Sequence, residues 1–192
     1  MALTNFQLRR TWIKIATMQP WQIIILIFGI LLLVYTALEV YVIWSVVGFA
    51  NKLKRRLLAV SIILNERRDF LLSEIDGFRA AGVPFRDSDE LVFRQVRELQ
   101  LSKLKPEDVH YISQLLNDAD SRFNYLATKN AWATKGEEFQ TLSLVSKDLE
   151  VNYRQSVVGY NTDLLGYNYW VKIPLCHWIP WLLGFRARER IG

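Results

Sequence analysis

Between residues 21 and 38 the chain reads WQIIILIFGILLLVYTAL, and apolar residues resume from residue 40 as VYVIWSVVGFA. A helix needs about 20 apolar residues to cross the hydrocarbon core of a bilayer, where it satisfies its own backbone polar groups. A secretory signal peptide has a shorter apolar core and a small-residue cleavage site, but this run is longer and no such site follows it. The stretch therefore predicts a transmembrane helix over residues 21–50, preceded by an N-terminal tail of residues 1–20.

Two tryptophans mark the ends of this apolar stretch. Trp21 and Trp44 would lie about 35 Å apart along a helix, which suits two indole rings at opposite membrane interfaces. Glu39 lies toward the second end. A carboxylate at the bilayer centre would indicate a partner or a proton path, whereas one near an interface can reach water. The position of Glu39 favours the interface.

The charge of the chain is unevenly distributed. Residues 1–56 hold seven basic side chains and one acidic, residues 57–185 hold 14 and 17, and residues 186–192 hold three and one, so that +6, −3 and +2 give the total of +5. A nucleic-acid-binding domain carries its positive charge on the folded body, so no nucleic acid is expected as a partner. The pattern instead indicates a membrane surface. The residues expected there are Trp21, Trp44, Lys52, Lys54, Arg55, Arg56, Trp178, Trp181, Arg186 and Arg188.

Beyond residue 51 the apolar residues recur every three or four positions, which is the period of an amphipathic helix. The first stripe continues from the apolar stretch without a breaker. It predicts one helix that reaches about Ala80, ended by Gly77, Gly82 and Pro84. Asp87 and Glu90 then predict the start of a second helix, because they are three positions apart as in a capping box.

The following segments are also helical in character. The residues KPED at 105–108 predict the start of a third helix, since proline and acids are favoured in a first turn. Apolar residues over 109–133 keep the a/d heptad spacing of a coiled coil. After Gly136 a fourth helix runs to Tyr167. We therefore predict an all-α chain in which the transmembrane helix continues into an antiparallel four-helix bundle over residues 51–170.

Residues 171–192 form an aromatic and basic segment of a different kind. Pro174 and Pro180 interrupt any long helix, and the apolar residues are too few to span a bilayer. Two interpretations stand for its tryptophans. They either close the end of the bundle, or they form an amphipathic element at the membrane interface, where indole rings settle.

Motifs for catalysis or ligand binding are few. The chain has no H-E-x-x-H motif, no pair of Cys-x-x-Cys motifs and no glycine-rich phosphate loop. Cys176 and His177 are neighbours, but adjacent residues on a helix point about 100° apart and seldom form a nucleophile–base pair. We therefore predict no catalytic residue, no metal ligand, no cofactor and no enzymatic activity. A redox or hydrolytic role for Cys176 is the weakest alternative.

Ten residues in three short motifs give the chain a resemblance to the LemA family over roughly residues 40–190. They are Arg67 and Asp69 in the first helix, Tyr160, Asn161, Tyr167 and Asn168 in the fourth, and Gly184, Phe185, Arg188 and Glu189 near the end. The resemblance implies a short N-terminal tail, one membrane span and an antiparallel four-helix bundle, with no established enzymatic activity. Some relatives help to build bacterial magnetosome membranes, which implies a role in membrane organisation.

The chain departs from the family pattern at several positions. Leu57 stands where the family usually has a tryptophan, and residues 71–75 lack the proline of the usual stretch. Val157 and Val158 replace charged residues before the first Tyr-Asn pair. The resemblance is therefore to a divergent member, in which exposed apolar substitutions would mark a partner surface.

These observations lead to one main functional hypothesis and one alternative. The main hypothesis is a non-enzymatic, membrane-anchored scaffold or accessory subunit of a bacterial membrane assembly. It would be single-pass in the inner membrane, with the bundle on the cytoplasmic side. The alternative is an integral subunit of a larger energy-converting or secretion complex, whose span contacts other spans through Gly29 or Gly48. Both give the chain a lipid bilayer and other membrane proteins as partners, and a homo-oligomer is compatible with either.

Overall fold

A computed structural model of the chain describes residues 19–101, 104–134, 137–174, 176 and 178–191, without the side chains of residues 137–140, 142 and 143. Five helices occur in these ranges, and no residue within them belongs to a strand. The helices are α1 (Pro20–Ala80), α2 (Asp87–Glu98), α3 (Asp108–Lys129), α4 (Glu137–Val171) and α5 (Trp178–Leu182). The predicted all-helical class is therefore confirmed for the described part of the chain.

The first helix, α1, is continuous over 61 residues, which gives a length of about 90 Å. Pro20 occupies its first turn, where a missing N–H costs no hydrogen bond. The most apolar part of α1 has no buried residue, and Phe28 and Leu33 are 68% and 70% exposed. A core helix of a soluble protein would be mostly buried. Among the described residues, α1 is the one helix long and apolar enough to cross a membrane, so the predicted long apolar helix is confirmed.

The fourth helix packs antiparallel along α1. Arg56 on α1 meets Asp163 on α4, whereas Arg67, further along α1, meets Glu150, which comes earlier on α4. Buried residues on the two helices include Val42, Val46, Leu53, Val60 and Leu64 from α1 and Leu149, Tyr153, Tyr160, Leu164 and Tyr167 from α4. The first buried residue of α1 is thus Val42, inside the segment 21–50 that the sequence assigns to the bilayer. The packed region from Val42 onward is termed the helical body.

Helices α2 and α3 cover the second half of α1 and pack on each other. The rings of Phe78 on α1 and Phe123 on α3 meet edge to face, with 4.8 Å between their centroids. Arg97 on α2 binds Asp76 on α1 at 2.6 Å. The predicted heptad residues of α3 are buried as far as Leu126. The last two, Asn130 and Ala133, lie beyond the end of that helix.

The turn after α1 follows the predicted glycine signal at Gly82, whereas Gly77 lies inside the helix and does not end it. Gly82 has φ +79°, a left-handed conformation that glycine adopts without a Cβ clash. Its N–H donates to the Arg79 carbonyl, and the Val83 N–H donates to the Phe78 carbonyl, both at 3.1 Å. This pair of bonds is the Schellman arrangement that ends many helices. The chain can therefore reverse direction within a few residues and place α2 against α1.

The capping box predicted at the start of α2 is wrong. The helix begins at Asp87, so the cap position falls on Arg86, and no side chain caps it. Glu90 instead accepts hydrogen bonds from Arg79 of α1 through both of its oxygens, at 2.8 and 2.9 Å. The acids of this first turn therefore complement the helix dipole and join α2 to α1.

Candidate functional site

The end of the helical body nearest the apolar part of α1 is closed by α5. The Trp178 indole N–H donates a hydrogen bond to the Tyr35 hydroxyl at 3.1 Å, which holds α5 against α1. Trp181 and Leu182 are 66% and 69% exposed. This short helix thus has a polar anchor on α1 and an apolar surface that the described residues leave uncovered.

The two interpretations of the C-terminal tryptophans each account for part of this end. Trp170 packs edge to face on Tyr41, with 5.5 Å between ring centroids, and so helps to close the helical body. Trp181 stays exposed, as an interfacial element requires. Trp21 is also exposed, and Trp44 is 73% exposed with its ring 6.4 Å from that of Tyr41.

The height of α5 along α1 follows from the helical rise. Tyr35 lies about 21 Å along the axis from Trp21, and Trp44 about 35 Å. The hydrocarbon core of a bilayer is about 30 Å thick. If Trp21 marks one interface, Trp44 reaches the other, and α5 lies in the half of the hydrocarbon core that is nearer to Trp44. The exposed apolar side chains of α1 and α5 then lie at the same height.

The predicted basic cluster lies beyond Trp44 on α1. Lys52, Lys54 and Arg55 are exposed, with the Lys52 ammonium 5.0 Å from the centre of the Phe49 ring. Arg56 is bound to Asp163 of α4 at 3.2 Å. Because Lys52 is about 12 Å along the axis from Trp44, this cluster would face the headgroup region.

Residues 185–191 run back along α4 and are termed the C-terminal strap. The side-chain amide of Asn168 donates to the Arg188 carbonyl at 2.8 Å and accepts from the Arg188 N–H at 2.9 Å. Asn161 binds Ile191 in the same two-way manner, at 2.8 and 3.1 Å. Ile191 is 3% exposed. The asparagines of the two Tyr-Asn pairs therefore hold the backbone of residues 188 and 191.

The tyrosines of the same motif lie under the strap. Tyr160 and Tyr167 are 1% and 0% exposed. The Tyr167 hydroxyl donates to the Arg186 carbonyl at 3.1 Å, and the Arg188 guanidinium lies 5.2 Å from the centre of the Tyr167 ring. Arg186 and Arg188 are thereby held beside α4, while Glu189 is exposed.

The closing Gly-Phe pair forms the turn that starts the strap. Gly184 has φ +81°, and its N–H donates to the Trp181 carbonyl at 3.0 Å. The Phe185 N–H donates to the Pro180 carbonyl at 2.8 Å, and its ring packs against the core. A second Schellman turn therefore ends α5 and sends the chain back toward α4.

A polar cleft of about 550 Å³ lies between α1, α3 and α4. Arg67, 8% exposed, pairs with Glu150 at 2.6 Å and donates to the Asn117 amide oxygen at 2.9 Å. It thereby joins three helices, whereas the other first-helix motif residue, Asp69, is exposed and binds its neighbour Arg68. The described lining consists of Arg67, Glu74, Asn117, Asp120, Ser121, Asn124, Ser146, Lys147, Glu150, Val151 and Arg154.

Glu74 is the unusual residue of this cleft. It is 6% exposed, and no described side chain donates a hydrogen bond to its carboxylate. Burial, together with the negative charge of Asp120, raises the pKa of Glu74 to about 7. Burial also raises the pKa of Asp120, with Arg67 acting in the opposite direction. The cleft therefore contains a carboxylate that changes its charge near neutral pH.

Sequence reasoning identified Arg67 and missed Glu74 and Glu150. A signal was present for Glu74, because Arg67 and Glu74 occupy two positions of a regularly spaced row of residues that is otherwise apolar. The buried residues of this part of α1 include Val60, Leu64, Arg67, Leu71, Glu74 and Phe78. A charged residue on a buried helix seam is rare unless it has a partner. Glu150 carried no such signal, since its neighbours on α4 are mixed in polarity.

Of the two neighbouring residues considered for catalysis, the structure describes only Cys176. Cys176 is 1% exposed, so its thiol is buried. Its sequence neighbour His177 lies outside the described residues. Within the part of the chain that the structure covers, no group of three or more His, Cys, Asp or Glu side chains could hold a metal ion.

The described residues define an all-helical protein in which one helix has the length and apolarity needed to cross a membrane. Comparison with protein-family models, with curated proteins and with solved structures gives no match to the chain.

Proposed function

We propose that the chain is a single-pass, non-enzymatic membrane protein that acts as a scaffold or accessory subunit of a bacterial membrane assembly. The observation that carries the proposal is the uncovered apolar surface of α1. Large side chains from Trp21 to Trp44 are exposed along the helix, including Ile24, Phe28, Leu31, Leu33, Val34 and Val40. Apolar surface left in water costs about 25 cal/mol per Å², and a patch of this extent on a soluble monomer would promote association. A lipid bilayer covers all sides of the helix at once.

The C-terminal segment supports a membrane-attached helical body. The exposed Trp181 and Leu182 of α5 lie at a height on α1 that falls within the bilayer when Trp21 and Trp44 mark its interfaces. The exposed basic residues of α1 then face headgroups, which favours the anionic cytoplasmic leaflet of the inner membrane. Two reporters are fused separately after the strap. Green fluorescent protein should fluoresce there, and alkaline phosphatase should be inactive. The reverse result would place the helical body on the outer side.

The anchor itself is tested by alkaline extraction of membranes from cells that produce the full chain. We expect the protein to stay in the membrane pellet, and the double variant Phe28→Asp/Leu33→Asp to lose that association. The matched control is Leu58→Asp/Ile62→Asp, since these residues are 61% and 51% exposed on the same helix within the helical body. A wild-type chain that is soluble without detergent would contradict the proposal.

We further propose that the helical body is a divergent LemA-like antiparallel four-helix bundle. Three of the family-motif residues support this proposal because they join elements of the body: Arg67 joins α1, α3 and α4, and Asn161 and Asn168 hold the strap. An experimental structure that superimposes on a LemA bundle over α1–α4 tests the relationship. A different helix order would overturn it.

A second candidate function is an integral subunit of a larger energy-converting or secretion complex. The observation in its favour is the open surface around Gly29 and Gly48, where an added Cβ would meet no atom within 4 Å. Small residues of this kind let transmembrane helices approach closely. Mass spectrometry after gentle solubilisation separates the candidates. Stoichiometric membrane partners that are lost in Gly29→Leu favour the subunit, whereas partners that depend on the helical body favour the scaffold.

A further inference from the structure

The cleft between α1, α3 and α4 is remote from the end that faces the membrane. Arg67 lies about 48 Å from Tyr35 along α1, well beyond the thickness of a bilayer. The volume of about 550 Å³ is within the range of clefts that hold small molecules. Membrane attachment therefore does not account for the polar lining of this cleft.

Some charges of the cleft are paired. Glu150 forms an ion pair with Arg67, at 2.6 Å, and accepts a hydrogen bond from Arg154, at 2.8 Å, so these three groups form one network. Asp120 is within the field of this network, because Arg67 lowers its pKa and Glu150 raises it. Glu74 is the exception. The negative charge of Asp120 acts on it, and no cation of the described residues offsets that charge at Glu74.

Glu74 is a costly residue at its position. It lies among mostly apolar residues on the buried face of α1, and only 6% of its surface is exposed to solvent. A buried carboxylate without a partner destabilises a protein unless it takes up a proton or meets a cation. A bound cation is the arrangement that gives this residue both charge and partner.

We propose that the cleft binds a small organic ammonium ion, with Glu74 and Asp120 as its counter-ions. An ammonium group donates up to three hydrogen bonds, and the neighbouring Ser121 hydroxyl and Asn124 amide oxygen are further acceptors in the lining. A calcium ion suits the cleft less well. It takes six to eight oxygen ligands, whereas the described residues contain no cluster of three or more ligating side chains.

The test is calorimetric titration of the full chain in mild detergent with putrescine, which carries two ammonium groups. Saturable binding is expected for putrescine and none for 1,4-butanediol, which has the same carbon chain without charge. Binding should tighten by up to about ten-fold between pH 6 and pH 8, because the proton and the ammonium group compete for the Glu74 carboxylate. Arg67, Asp120, Lys147, Glu150 and Arg154 also face the cleft, so the variants below assign this dependence to Glu74.

Glu74→Gln should weaken putrescine binding at least ten-fold and remove most of its pH dependence. This variant removes a buried charge, so its helix content by circular dichroism should equal that of the wild type. Asp120→Asn should weaken binding as well, whereas Glu66→Gln, which changes an exposed acid on the same helix, should not. Absence of putrescine binding, equal binding in Glu74→Gln, or binding of calcium chloride in place of putrescine would each overturn the proposal.

Discussion

Asn168 and Arg188 exchange two hydrogen bonds, with the side-chain amide of one matched to the backbone N–H and carbonyl of the other. Asn161 repeats the arrangement with Ile191. The two asparagines are two helical turns apart, about 10.5 Å, and three residues of extended chain cover about the same distance. The length of two turns of α4 therefore matches the length of three extended residues of the strap, which explains why two Asn residues at this spacing fix the register of the strap.

The first prediction concerns this match. Asn168→Asp replaces a donor with a second acceptor that faces the Arg188 carbonyl, so the strap should detach near Arg188. We expect a loss of about 0.5–1.5 kcal/mol of local stability, because hydrogen bonds at a solvent-exposed site are broken. Hydrogen exchange should show faster exchange of the Arg188 amide. The matched control is Asn152→Asp, an exposed residue of the same helix, and unchanged exchange in Asn168→Asp would contradict the role of the pair.

The second prediction concerns the crossing of α1 and α4. A Cβ added at Gly166 would lie 2.6 Å from the Phe49 ring, whereas one at Gly159 would lie 3.5 Å from the Arg56 guanidinium. Gly166→Ala should therefore lower the free energy of unfolding by about 1–3 kcal/mol, through displacement of the ring. Gly159→Ala should be neutral or stabilising by up to about 1 kcal/mol, because alanine favours the helix.

Thermal unfolding followed by circular dichroism checks both glycine variants. Phe49→Leu should restore much of the stability that Gly166→Ala loses, since the smaller side chain leaves room for the added methyl group. A Gly166→Ala protein as stable as Gly159→Ala would show that α1 and α4 do not approach closely at this point.

The third prediction concerns the pH dependence of stability. The pKa of Glu74 is raised from 4.5 to about 7 on folding, so the folded state binds more protons than the unfolded state between these values. This residue therefore makes the protein less stable as pH rises from about 4.5 to 7, with the full penalty present above that range. Glu74→Gln should raise the free energy of unfolding at pH 8 by about 1–2 kcal/mol, allowing for solvent that enters the cleft, with little change near pH 4.

Unfolding of the two proteins at pH 4, 6 and 8 measures this difference. Asp120 has a raised pKa for the same main reason and keeps part of the dependence in the variant. Glu66→Gln should follow the wild-type curve. A constant difference between Glu74→Gln and wild type at all three values would show that folding does not shift the pKa of Glu74.

The fourth prediction concerns the depth of α5. A spin label at Leu182→Cys, in a Cys176→Ser background, should be more accessible to oxygen than to a nickel complex when the chain is in vesicles. Oxygen concentrates in the hydrocarbon region, whereas the nickel complex stays in water. Leu144→Cys is the control, since it is 64% exposed on α4 at the opposite end of the helical body. Equal nickel accessibility at the two positions would place α5 in water.

The sequence by itself determined the elements of this protein that depend on local pattern. An uncharged apolar run, a three-and-four-residue spacing and the glycine at position 82 predicted α1 and its end at Ala80, because helix formation and helix termination depend on neighbouring residues. The capping interpretation of Asp87 and Glu90 failed for the converse reason. Glu90 found a stronger partner in Arg79, which lies on another helix.

Only the tertiary structure decided where the helices meet and what lies between them. It placed the first buried residue of α1 at Val42, brought α5 beside Tyr35, and set the strap against Asn161 and Asn168. It also left Glu74 without a counter-ion among the described residues, since the sequence of α1 gives the position of Glu74 along the helix but not the charges that α3 and α4 bring to it. Such contacts join residues far apart in the chain, and local periodicity carries no information about which of them pair.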